Sequence, residues 1–172
     1  MKQLKAFTLI EMLVVFGIIS IITGMTVTSY TTSAETRNLE GEARRLVDTF
    51  NLAYKKGYSA ETGPLAQCST FTGYRLTLTQ NTKQYVLTKC CNATCSGAQS
   101  SVVSTYTIPH TSVVFTAPTG VTQYLFQPLS VRVVVTPAAN QTITLRNTRI
   151  GKCISLAVNS AGAVQENAKV NC

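Results

Sequence analysis

The residue with the most unusual chemistry in this sequence is Glu11, the one ionisable group in an apolar run at residues 7–27. As a helix, this run would extend about 30 Å, which matches the hydrocarbon core of a bilayer. A carboxylate inside a membrane helix is costly unless it is paired. Either Glu11 lies at the headgroups and stays hydrated, or a positive group from outside the helix neutralises it.

The residues before the apolar run indicate where that positive group could come from. A secretory signal has its small-residue cleavage site after the apolar run, whereas here the small Ala6 comes before it. Lys2 and Lys5 precede the site and predict a cytoplasmic N-terminus. Cleavage before Phe7 would create an α-amine four residues from Glu11. A neighbouring copy, shifted along the helix axis, could place its own amine on that carboxylate.

The segment Lys5-Ala6-Phe7-Thr8-Leu9-Ile10-Glu11, followed by Leu13-Val14-Val15, resembles the N-terminus of type IV pilins and type II secretion pseudopilins. The resemblance implies cleavage by a prepilin peptidase before Phe7, N-methylation of Phe7, and pairing of Glu11 with the amine of the next subunit. It also implies other pilin or pseudopilin subunits and an inner-membrane assembly platform as partners. The chain departs from the family at Ala6, where Gly is usual, and at Thr28, where many members carry a Pro that permits partial melting of the helix.

A second helical pattern follows the membrane run. Its apolar residues recur at spacings of one, three and four, which is one face of an α-helix; they are Leu39, Ala43, Leu46, Val47, Phe50, Ala53 and Tyr54. We expect this stripe to pack on a sheet rather than on a partner helix. The end of the helix is predicted at Lys55, Lys56 and Gly57. Lysine side chains interact favourably with the negative C-terminal end of the helix dipole, and glycine readily adopts the left-handed conformation of a helix cap.

After Pro64 the apolar residues alternate with a period of two, which predicts short strands. We expect about eight, at 74–79, 84–88, 102–108, 113–116, 123–126, 130–135, 142–146 and 152–158. The predicted fold is α+β, with a long N-terminal helix packed on an antiparallel β-sandwich-like head. The predicted parts are a leader at 1–6, a membrane-spanning assembly helix at 7–30, an amphipathic helix at 31–62 and a head at 63–172 outside the membrane.

Six cysteines lie in the predicted extracytoplasmic head: Cys68, Cys90, Cys91, Cys95, Cys153 and Cys172. An even number of cysteines outside the cytoplasm indicates disulfides. Adjacent Cys90 and Cys91 rarely bond to each other, because the geometry strains the peptide between them. We favour Cys153 with Cys172, since both flank the last predicted hairpin, and leave the other pairings open.

The sequence predicts neither an enzyme nor a cofactor. His110 is the only histidine, so it is either a general base or an ordinary loop residue. Glu166 is the only carboxylate after residue 61, which makes paired acid–base chemistry unexpected. Cys90, Cys91 and Cys95 could hold a metal, but no second Cys pair stands at the spacing of a zinc finger. Asn92-Ala93-Thr94 fits a glycosylation acceptor pattern.

The predicted head is strongly basic, with eight basic residues and one acidic residue in 62–172. Such a surface either keeps the head soluble or attracts a polyanion such as DNA, anionic lipid or cell wall. The candidate polyanion-binding residues are Arg132, Arg146, Arg149 and Lys152.

The end of the chain, residues 153–164, resembles the closing hairpin of H-type minor pilins and pseudopilins, some of which bind DNA through a basic tail. Here Ala163 stands where that group often has Arg, and the tail carries Glu166 and Lys169. The predicted function is a minor pilin or pseudopilin subunit of a type IV pilus or type II secretion filament. The alternative is a DNA-binding (competence) or adhesive minor pilin.

Overall fold

The structure is a computed structural model that describes residues 8–61, 68, 70–95, 100–130, 132–138 and 141–172, except for the side chains of 25–28. One helix, α1 (Leu9–Tyr58), precedes the strands. These are β1 (Gly73–Thr79), β2 (Gln84–Cys90), β3 (Ser101–Thr107), β4 (Val113–Ala117), β5 (Val121–Phe126), β6 (Val133–Thr136), β7 (Thr142–Asn147), β8 (Lys152–Val158), β9 (Val164–Glu166) and β10 (Val170–Asn171). The α+β fold predicted from the sequence is confirmed.

The strands form two antiparallel sheets. The first has the order β3-β2-β1-β5-β6, and the second has the order β10-β8-β7-β4 with β9 paired to β8. Strand β9 is the return strand of the hairpin predicted at 153–164, whereas the short strand β10 was not predicted. Strand β6 also begins later than predicted, at Val133 rather than at Ser130. The reason is local, because the Ser130 hydroxyl accepts a hydrogen bond from the Arg132 amide at 3.1 Å, a contact that competes with strand pairing just before β6.

The second half of α1 packs against both sheets and forms the core. Its residues Leu39, Leu46 and Phe50 are completely buried, and the helix contacts strands of each sheet. The ring of Phe50 meets Tyr124 edge-on, with centroids 4.9 Å apart. The expectation that the helical stripe packs on a sheet is therefore confirmed, and the core fixes α1 relative to the head.

The end of α1 differs from the sequence prediction. Gly57 lies inside the helix, and a Cβ atom there would come within 2.8 Å of the Phe126 carbonyl oxygen. The left-handed residue is Ala60, with φ of 50°. Its amide donates to Gly57 O, and the Glu61 amide donates to Lys56 O, which is the Schellman pattern. Position 57 therefore requires glycine because β5 comes close to it, and the left-handed cap residue is Ala60, three residues later.

Ala60→Gly is expected to stabilise the protein by about 1 kcal/mol, because glycine adopts the left-handed conformation without steric cost. Chemical denaturation of the full chain in detergent would measure the change. Ala34→Gly, in the body of α1, is the matched control and should lose about 1 kcal/mol. Equal destabilisation by both substitutions would contradict the left-handed assignment of Ala60.

Candidate assembly helix and charged surfaces of the head

The first half of α1 is an exposed apolar rod. Leu9, Ile10, Leu13 and Phe16 are each more than three-fifths exposed, and α1 is long and apolar enough to cross a membrane. Two hydroxyls along the rod are satisfied within the helix, since Ser20 donates to Phe16 O at 2.8 Å and Thr23 donates to Ile19 O at 2.7 Å. In lipid, such hydroxyls need no outside partner.

Glu11 lies in the first turn of this rod and is exposed. Thr8 caps the helix, and its hydroxyl accepts a hydrogen bond from the Glu11 amide at 3.4 Å. Among the residues that the structure describes, none forms an ion pair with the Glu11 carboxylate. Ala6 and Phe7, the predicted cleavage and methylation residues, lie outside the described residues. The geometry thus presents one carboxylate on an apolar surface that is open to a neighbouring helix.

A polar cluster that the sequence did not reveal joins α1 to the second sheet. The Glu35 carboxylate accepts hydrogen bonds from Ser112 Oγ at 2.6 Å and from Asn147 Nδ2 at 2.9 Å. Arg149 Nη1 lies 2.9 Å from its other oxygen. Asn147 is fully buried, and its Oδ1 accepts from the amides of Arg149 and Ile150. The cluster ties the helix to the β4 start and to the β7–β8 turn.

The hydrogen bonds around Glu35 favour its charged form. Those from Ser112 and Asn147, with a smaller contribution from Arg149, lower the pKa of Glu35 from 4.5 to about 2. Glu35 is therefore a permanent anion at neutral pH. No sequence pattern links it to Asn147, which follows it by 112 residues.

The cysteines form three disulfides: Cys68–Cys91, Cys90–Cys95 and Cys153–Cys172. The last is the pair favoured from the sequence, and the adjacent Cys90 and Cys91 bond to different partners. None of the six cysteines is free. The first bridge ties Cys68, which precedes β1, to Cys91 just after β2, and the second closes a short loop after β2. The third fastens the C-terminus to the start of β8.

We expect the native chain to offer no thiol to an alkylating reagent under denaturing, non-reducing conditions, and six thiols after reduction. Mass spectrometry counts the added groups directly. A non-reducing gel should also show a mobility shift on addition of reductant. Six alkylated cysteines without reductant would contradict the disulfides.

The four candidate polyanion-binding residues do not form one cluster. Arg146, Arg149 and Lys152 lie at the β7–β8 turn, whereas Arg132 precedes β6, next to the turn after β8. The length of β8 separates these two ends by about 20 Å. Arg149 is also paired with Glu35. Polyanion binding stays a prediction. Arg132, Arg146 and Lys152 have no carboxylate partner among the described residues, and of these only Arg146 and Lys152 lie at the same end of the head.

A salt titration of DNA binding by the full chain in detergent tests this prediction. Neutralisation of Z phosphates gives a slope of about −0.9Z for log K against log salt. If Arg146 and Lys152 contact the phosphates, Arg146→Ala and Lys152→Ala each make this negative slope shallower by about one, whereas Arg132→Ala leaves it unchanged. Equal effects of all three substitutions would indicate diffuse attraction to a basic surface instead.

His110 lies in the loop between β3 and β4, beside a buried carboxylate. Its Nε2 is 3.8 Å from Glu42 Oε1, and Arg45 Nη1 is 3.5 Å from the same oxygen. Among the described residues, no group of three or more His, Cys, Asp or Glu side chains could hold a metal ion. His110 and Arg45 thus both lie beside a carboxylate that is 5% exposed.

Comparison with known proteins identifies one region. Residues 1–27 match the prokaryotic N-terminal methylation motif, which is a type IV pilin-like prepilin signal. Neither the search of curated proteins nor that of solved structures found a match. The motif supports the interpretation of this chain as a type IV pilin-like or pseudopilin-like subunit, and it implies assembly with other pilin subunits. With the exposed apolar helix, it indicates membrane anchoring and pilus assembly.

Proposed function

We propose that this chain is a minor pilin or pseudopilin subunit of a type IV pilus or a type II secretion filament, processed before Phe7 and assembled through α1. The observation that carries the proposal is the methylation motif on a helix whose first half is apolar, exposed and marked by the single carboxylate Glu11. Prepilin peptidase and an inner-membrane assembly platform are the further partners that this role requires.

Assembly follows from the electrostatics of the exposed half of α1. Before assembly, the helix resides in the membrane, with the head outside and the N-terminus at the cytoplasmic face. Removal of residues 1–6 exposes the α-amine of Phe7, and a neighbouring Glu11 pairs with that amine when the helices are staggered. The pair neutralises both charges inside an apolar bundle, so the carboxylate favours ordered packing over random contact.

The mature N-terminus tests the proposed processing. We expect N-terminal mass spectrometry of the chain from a host with prepilin peptidase to find N-methylated Phe7 as the first residue. Deletion of the peptidase should restore Met1. Ala6→Gly, which gives the residue usual in the family, should leave the cleavage position unchanged. An intact Met1 in the presence of an active peptidase would overturn the proposal.

A further inference from the structure

A cavity lies on the outer face of the first sheet, the face that points away from α1. Leu76 is buried in the core, so the preceding residue, Arg75, points to the outer face of β1. Arg75 pairs across the sheet with Leu125 of β5, which pairs in turn with Val134 of β6. These three side chains form one row on the outer face. A cavity of about 250 Å³ lies between this row and the loop after β2.

Arg75 brings a positive charge to this cavity that the fold does not neutralise. Its guanidinium holds the loop closed by the Cys90–Cys95 bridge, with Nη1 donating to Thr94 O at 3.2 Å and Nη2 donating to Cys95 O at 2.7 Å. Nη1 also donates to Gln123 Oε1 at 3.4 Å. All three acceptors are uncharged. Within the described ranges, Arg75 forms no ion pair and no carboxylate lines the cavity.

The guanidinium of Arg75 also keeps unused capacity to donate hydrogen bonds. The contacts to the loop and to Gln123 occupy only some of its N–H groups. Its Nε is buried and has no acceptor in the part of the chain that the structure describes. A guanidinium in this state favours a carboxylate, which supplies the missing negative charge and can accept two parallel hydrogen bonds.

The rest of the lining favours a small ligand with several hydroxyl groups. Thr72, Gln123 and Thr136 bring hydroxyl and amide groups to the cavity, whereas Leu125 and Val134 add a small apolar area. Hydroxyl and amide groups can both donate to and accept from the hydroxyls of a ligand. The cavity is smaller than the usual pocket for a drug-sized compound, so it suits a single ring.

We propose that this cavity binds an acidic sugar, with the sugar carboxylate on the guanidinium of Arg75 and the sugar hydroxyls on Gln123 and Thr136. The inference goes beyond the proposed function, because it concerns the head alone and does not depend on how α1 assembles. It also gives the adhesive alternative a chemical class of ligand. Acidic sugars exist both as free sugar acids and as residues of polysaccharides, and the two sources share the chemistry that Arg75 would recognise.

A ligand-detected NMR titration of the full chain in detergent with D-galacturonate tests the proposal. For a ligand of this size we expect a Kd of about 1 mM. Galactose lacks the carboxylate and acetate lacks the ring, so each should bind about tenfold more weakly or worse. Trigalacturonate distinguishes the two sources. Tighter binding of the trimer than of galacturonate would identify a polysaccharide, and equal binding would identify a free sugar acid.

Two variants separate ligand binding from the structural role of Arg75. Arg75→Gln removes the charge and should weaken galacturonate binding by about tenfold or more. Because it also removes contacts to the loop, Val134→Phe provides a second test. Val134 is 44% exposed on β6, so a larger side chain there fills the cavity and leaves the guanidinium in place. Arg132→Gln removes an equal charge from outside the cavity and should leave binding unchanged.

Three results would overturn the inference. One is equal binding of galactose and galacturonate, and another is full binding by Val134→Phe. The third is equal weakening by Arg75→Gln and Arg132→Gln, which would indicate diffuse attraction of an anion to the basic head. The mature N-terminus tests the pilin role separately. If Phe7 is the first residue but galacturonate does not bind, only the sugar site is wrong.

Discussion

Glu11→Ala is expected to leave the chain inserted in the membrane and to lower its incorporation into filaments by about a hundredfold. Insertion continues because the substitution removes the one charge from the apolar run. Incorporation falls because the α-amine of a neighbouring Phe7 then enters the helix bundle without a carboxylate. Breaking a buried ion pair by removing one partner typically costs about 3–5 kcal/mol.

The measurement compares membrane and sheared-filament fractions from cells that express equal amounts of each variant. Glu11→Gln keeps the size of the side chain and should fail nearly as badly, which separates charge from packing. Glu166→Ala removes an exposed carboxylate from the head and serves as the control, with normal incorporation expected. Normal incorporation of Glu11→Gln would exclude pairing between the amine and the carboxylate as the basis of assembly.

The elements of this fold were predictable because their patterns are local. The burial of Leu39, Leu46 and Phe50 follows from helical spacing, and the alternation in β1 and β2 follows from the period of a strand. The Cys153–Cys172 bridge was favoured because its cysteines flank one hairpin. Each of these predictions depends on residues that are close in sequence and that share one face or one turn.

What the sequence could not reveal depends on contacts between distant segments. Gly57 has the sequence context of a helix cap, but its size is set by Phe126, a neighbour from β5. The pairing of β4 with β7 and of β1 with β5 likewise leaves no local pattern. Arg149 looked like a free surface base, whereas Glu35 neutralises it. A basic patch read from the sequence therefore overstates the positive charge available to a ligand.

The Glu35 cluster gives the second large expected effect, a loss of stability in acid. The pKa of Glu35 is lowered to about 2 in the folded chain from its ordinary value of 4.5. Because the folded state favours the carboxylate, the stabilisation is complete above pH 4.5 and is lost as the pH falls from 4.5 towards 2. Glu35→Gln should lack this contribution at every pH. The wild type should therefore be more stable than the variant above pH 4.5, and the difference in their unfolding free energies should shrink as the pH falls towards 2.

Asn147→Ala should show what the cluster contributes at neutral pH. The substitution removes the amide that donates to Glu35 and the oxygen that accepts from Arg149 N and Ile150 N. Leaving these part-buried partners unpaired is expected to cost about 3 kcal/mol, measured by denaturation of the full chain in detergent.

Thr148→Ala, at an exposed position in the same turn, is the control, and its effect should be much smaller. If Asn147→Ala is as stable as the wild type, or if Glu35→Gln keeps the full acid dependence, this cluster does not hold the helix to the head. The apolar core would then be what keeps the head at a fixed angle to α1.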